Sequence, residues 1–211
     1  MNPVWLNIAS VLAIFTLAII SPGPNFIMVV NTSLADSRRA GLFTALGVAV
    51  GSGIFALAGL LGLILLISSL PHFAVVVRIA GGGYLAWFGV GMIRKVLRRP
   101  RGSAVVPGNV RSQASPLKAF RTGLFTNLTN PKAWAFYFSL FTLVAAPSTP
   151  LWAKIFLNLT MFLISFTWYS SVALLLSDRR AQPHFLRLQP LIQGVLGILL
   201  VLLGGRLLLT R

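Results

Sequence analysis

Two short clusters hold the residues of this chain best suited to polar chemistry. They are Ser21-Pro22-Gly23-Pro24-Asn25 and Asn127-Leu128-Thr129-Asn130-Pro131-Lys132. Each interrupts a long apolar run, and they lie about half a chain length apart. Proline lacks an amide donor and obstructs the preceding turn, so each cluster breaks a helix. A break frees carbonyls on one side and amides on the other. In hydrocarbon such groups persist only where protein or a wet cavity surrounds them. Paired breaks in the two halves of a membrane protein point to a transporter's binding site.

The freed groups suit a zwitterion. Half-helices starting near Asn25 and Ala133 present amides and positive dipole ends to a carboxylate. Carbonyls of Ile20, Ser21 and Thr129 can accept from an ammonium. Asn25, Asn127 and Asn130 supply donors and acceptors without net charge. The candidate substrate-binding residues are therefore Pro22, Gly23, Pro24, Asn25, Asn127, Asn130, Pro131 and Lys132. Lys132 is the one charged residue near the middle of an apolar span. It reads either as a carboxylate anchor or titrating group, or as a lysine bonded to elbow carbonyls for structure. The functional reading is preferred because a charge inside a span is costly to keep.

Other polar residues carry less. His72 and His184 are distant from one another and the chain has no Cys, a poor basis for a metal site, so no metal or cofactor is expected. Trp5, Trp87, Trp134, Trp152 and Trp168 read as interfacial anchors. Trp134 and Tyr137 follow the second break at helical spacing and read as packing more readily than as cavity lining. Asp36 and Asp178 adjoin Arg pairs and read as helix caps or local ion pairs.

The elements that position these residues follow from hydropathy. The chain is 56% hydrophobic and 9% charged, which excludes an ordinary soluble domain. Its N-terminus has no basic region and reads as a retained first span. Spans are expected over residues 4–35, 41–69, 73–93, 117–145, 151–177 and 191–209. As one helix the first would be roughly 45 Å long, too long for an untilted crossing. The Pro-Gly-Pro break resolves this, and the fourth span breaks at Asn130-Pro131. Gly47 and Gly51 suit either a thin helix beside a substrate path or close helix packing. Gly81-Gly82-Gly83 predicts a bend or very close packing. Pro71-His72 reads as a turn, and Pro183 and Pro190 as part of a loop.

Eighteen Lys and Arg against two acidic residues give a net charge of +16. The loops after spans one, three and five carry two, eight and three of them, thirteen in all, counting Lys118 and Arg121 at the start of the fourth span with the second of these loops. This is the positive-inside pattern plus contact with anionic lipid, rather than a nucleic-acid surface. It places those loops in the cytoplasm and both termini outside. Three spans per half force opposite orientations. The expected fold is thus an all-α integral membrane protein with six transmembrane helices, arranged as two inverted three-helix repeats with broken first and fourth helices. Its parts are a first repeat over 1–97, a basic cytoplasmic linker over 98–116 and a second repeat over 117–211.

Two longer signatures carry a family resemblance. Ile20-Ser21-Pro22-Gly23-Pro24-Asn25-Phe26, Arg39-Ala40-Gly41 and the run from Ala45 to Gly51 resemble the first-half signature of the LysE/RhtB family. Phe120-Arg121-Thr122-Gly123-Leu124 followed by the cluster from Asn127 to Ala133 resembles the second. The resemblance spans the whole chain. It implies a bacterial inner-membrane exporter of amino acids or analogues, driven by the proton motive force, with a small-molecule substrate and lipid as partners. Members often carry an acidic residue where Ser52 stands, and no Asp or Glu lies in any span here. A carboxylate proton relay therefore does not carry over, and neutral substrates are expected over basic ones. The competing classes are a channel, a structural membrane subunit and a membrane enzyme; for the last, no nucleophile–base set is visible. The sequence leaves open the substrate side chain, the transport direction, the coupling ion and any oligomer.

Overall fold

Prolines set the helix starts. A computed structural model describes residues 3–21, 23–59, 71–98, 114–144, 150–176 and 181–209. Eight helices lie among them: α1 (Pro3–Ile20), α2 (Pro24–Ala35), α3 (Arg38–Ala58), α4 (Pro71–Arg98), α5 (Pro116–Leu128), α6 (Pro131–Val144), α7 (Leu151–Leu176) and α8 (Ala181–Leu209). Five of them begin on proline, whose fixed φ suits the first helical position and whose missing donor is not needed there. Ser37 Oγ caps α3 by accepting from the Ala40 amide at 3.1 Å. Ser115 Oγ does the same for α5 from Lys118 at 3.3 Å. The cap ahead of α3 is therefore Ser37 rather than the neighbouring Asp36.

α1 and α2 are bent by 52° at the first break. Among the described residues, α3 and α7 are each long and apolar enough to cross a membrane, and the bent pair makes a third such unit. Three expectations shift. Pro71-His72 is not a turn, because α4 starts on Pro71 and runs to Arg98, with Lys95 and Arg98 in its last turn complementing the dipole. The stretch holding Pro183 and Pro190 is helical, because a helix can lose one bond at an internal proline and continue. Glycines 81 to 83 do not end α4. Residues 60–70, most of the linker, and Asp178 lie outside the described residues.

Glycine fixes two close helix pairs. α3 packs on α5, where a Cβ at Gly47 would fall on the Phe120 carbonyl and one at Gly123 on the Thr44 carbonyl. Thr44 Oγ1 donates across this contact to the Ala119 carbonyl at 3.2 Å. α4 packs on α8 through Gly89 against the Gly197 carbonyl and Gly204 against the Gly82 carbonyl. Gly47 thus serves close packing, and Gly51 backs onto the Asn127 side chain. α7 and α2 also lie against α3.

Two apolar clusters flank the breaks. One joins Phe15, Phe55, Phe136, Tyr137, Leu140, Leu157 and Met161. The other joins Phe26, Val29, Val48, Tyr169 and Val172. Trp5 and Trp152 meet at 5.3 Å and are about half exposed, as interfacial anchors should be. Trp168 instead packs against the second cluster.

The glycine contacts make a direct prediction. Gly123→Ala drives a methyl into the α3 backbone, and overpacking of this kind costs about 1–3 kcal/mol. The unfolding temperature of the detergent-solubilised protein should fall. Gly91→Ala, with nothing within 4 Å of the added methyl, should leave it unchanged or raise it.

Candidate functional site

The site is built from the two breaks outward. Gly23 caps α2 in an extended conformation and has no side chain with which to bond that helix start. At the second break, Asn130 Oδ1 accepts from the Lys132 amide at 3.0 Å, so α6 carries its own cap. The two half-helix N-termini are therefore unequal: one is self-satisfied and one has no side-chain cap.

Three asparagines join the breaks. Asn25 Nδ2 donates to Asn127 Oδ1 at 3.0 Å, and Asn130 Nδ2 donates to Asn25 Oδ1 at 3.2 Å. Asn127 Nδ2 donates to the Val48 carbonyl at 2.7 Å and to Ser52 Oγ at 3.0 Å. Ser52 Oγ pairs with Ser165 Oγ at 3.2 Å. All five side chains are buried. The network draws on α2, α3, α5 and α7 and on the break before α6, so it ties the two halves of the chain together.

Lys132 reaches back to the first break. Its Nζ donates to the Ser21 carbonyl at 3.0 Å and the Ala18 carbonyl at 3.4 Å, and sits 4.9 Å from the centre of the Phe88 ring. It thus caps the C-terminal end of α1, where a cation meets the negative dipole end. Its stem passes 3.3 Å from where a Gly23 Cβ would stand. At the other break the Leu128 carbonyl is met by Trp134 Nε1 at 2.7 Å. Trp134 is therefore a backbone cap, while Tyr137 faces the site.

A cavity of about 40 Å³ lies between the breaks. Gly23, Asn25, Asn127, Asn130 and Lys132 line it, with Ser21 and Ser52. The structure thus brings together five of the eight candidate residues. Pro24 and Pro131 are exposed and shape the breaks from outside the cavity. Pro22 lies outside the described residues. Of the expected carbonyl acceptors, Ser21 lines the cavity, whereas the Thr129 side chain is exposed and its hydroxyl turns back to the Phe125 carbonyl at 2.7 Å. Sequence reasoning missed Ser165, which pairs with Ser52, and the cavity walls formed by Phe15, Phe136 and Tyr169. Ser165 had one signal, a hydroxyl near the middle of an apolar span.

A polar cavity at the meeting point of two broken helices, inside an apolar helical protein, is the arrangement of a membrane transporter's binding site. Residues 16–211 match the LysE type translocator family, and the chain belongs to it. It is a multi-pass protein of the bacterial inner membrane. It is 32% identical over 199 residues to the uncharacterized membrane protein YahN of Escherichia coli strain K12, covering 92% of this chain and 85% of that one. It is 30% identical over 202 residues to the threonine efflux protein of Salmonella typhi, covering 96% and 97%. It is 33% identical over 172 residues to the leucine efflux protein of Klebsiella pneumoniae, covering 80% and 78%. No solved structure matches the chain.

Asn127 is the hub of the network, and its loss is testable. Asn127→Ala orphans Asn25 Nδ2 and leaves the Val48 carbonyl without this donor. An orphaned buried polar group costs about 1–3 kcal/mol. The unfolding temperature should drop further than for Asn158→Ala, which removes a single bond to the Gly53 carbonyl.

Proposed function

We propose that this chain exports small neutral amino acids or close analogues across the inner membrane, by alternating access and at the expense of the proton motive force. The observation that carries this reading is the cavity between the breaks, which offers amides, carbonyls, hydroxyls and one ammonium but no carboxylate. Similarity to threonine and leucine efflux proteins supports the same substrate class.

The substrate carboxylate is assigned to Lys132 and the N-terminus of α2, the half-helix start without a side-chain cap. That charge draws Lys132 off the Ser21 and Ala18 carbonyls. The substrate ammonium then takes the same carbonyls, so one cation replaces another at the end of α1. Asn25 and Asn130 orient the backbone of the bound molecule, and Phe15, Phe136 and Tyr137 face its side chain. At about 40 Å³ the cavity has room for only a few waters, so loading requires the breaks to part. Six spans in two inverted repeats, with both termini periplasmic, would let each half rock around this point. No carboxylate lines the cavity, so Lys132 is the group assigned to the coupling proton.

Whole-cell efflux tests the reading. Cells loaded with dipeptides should release threonine or leucine faster with the protein than without it. Preferential release of lysine or arginine would overturn it, since a second cation beside Lys132 has no partner and costs about 2.5–3.5 kcal/mol on insertion scales. Lys132→Ala should abolish export with the protein still inserted. Lys132→Arg keeps the charge but cannot give up a proton, so it should bind substrate and lose accumulation against a gradient. Export by Lys132→Ala at the wild-type rate would assign Lys132 to structure alone.

A further inference from the structure

The outward face of α5 carries a groove that the central cavity does not use. It measures about 520 Å³ and is lined by Leu117, Lys118, Arg121, Thr122, Phe125 and Thr129. The opposite face of the same helix, with Ala119, Gly123 and Asn127, is buried. Leu117 and Phe125 are about three-fifths exposed. Lys118 and Arg121 are one turn apart, so they share a face near the helix start. From Ser115 to Thr129 the groove runs roughly 20 Å, about the depth of one leaflet with its headgroups.

Its chemistry changes along that length. The cations sit at one end. Further along, Thr122 Oγ1 donates to the Lys118 carbonyl at 2.9 Å and Thr129 Oγ1 to the Phe125 carbonyl at 2.7 Å. With their hydroxyls bonded to backbone, these threonines leave their methyl groups to meet an apolar neighbour beside Phe125. The groove therefore asks for a molecule with an anionic head and an apolar body.

The charge balance of this chain argues against an occupant from the chain itself. It holds eighteen Lys and Arg against two acidic residues. The segment preceding α5 brings Arg99, Arg101 and Arg111, charges of the same sign. A second copy of the chain would bring the same excess. The excess of positive charge points to a counter-charge from outside the protein.

We propose that this groove binds one anionic phospholipid, its phosphate between Lys118 and Arg121 and an acyl chain along Phe125 and the threonine methyls. The site requires only that the chain sit in a membrane and is independent of the transport reading.

Native mass spectrometry of the full-length protein in neutral detergent tests it, with phosphatidylglycerol and phosphatidylcholine of equal chain length as probes. The wild type should retain phosphatidylglycerol preferentially. The K118Q/R121Q variant should bind it about thirtyfold more weakly, at about 1 kcal/mol per cation. The R38Q/R39Q variant loses the same charge elsewhere and should keep wild-type affinity. Both pairs are exposed, and circular dichroism checks that helix content is intact. Equal retention of the two lipids would overturn the site. So would equal losses in the two variants, which would mean diffuse attraction, or displacement by equimolar inorganic phosphate, which would mean an anion site without the acyl contact.

Discussion

Everything at the centre of this protein depends on satisfying backbone groups that two helix breaks set free in an apolar interior. A helix that ends in hydrocarbon leaves carbonyls with no water to turn to. The chain meets this demand with side chains borrowed from across the break or from the opposite half. Lys132 closes the end of α1, and Trp134 meets the Leu128 carbonyl. Each break is stable because the other is beside it. The polar centre is thus a mutual cap before it is anything else, and the proposed export would exchange those same groups for a zwitterion.

Such exchange requires close approach, and the glycines provide it. Asn127 sits 2.9 Å from where a Gly51 Cβ would stand. With a side chain there, its amide could not bridge Val48 and Ser52. One turn earlier, Gly47 and Gly123 let the α3 and α5 backbones touch. The α4–α8 pair repeats the device away from the cavity. Lipid offers no hydrophobic drive between helices, so direct backbone contact and dispersion take its place.

The two breaks look alike in sequence but differ in their electrostatics. Asn130 satisfies the start of α6 with its own side chain, while Gly23 has none to offer α2. That difference, with the Lys132 ammonium drawn across to the α1 end, gives the cavity a polarity. On the proposed reading, a substrate carboxylate is directed to one break and not shared equally between both.

By itself the sequence determined the class of the protein, the positions of both breaks and the identity of most polar residues at its centre. It did so because proline, glycine and asparagine in an apolar run are local signals, and local backbone chemistry does not depend on the rest of the fold. Helix ends were less legible: Pro71 and Pro190 read as stops, yet a proline can open a helix or lie within one. What the tertiary structure alone decided is which groups meet. It set Pro24 and Pro131 outside the cavity and brought Ser165 onto Ser52 at its edge. It also turned Lys132 onto the Ser21 carbonyl, more than a hundred residues away in the chain. Those are distances between elements far apart in sequence, fixed by helix packing, and no local pattern encodes them.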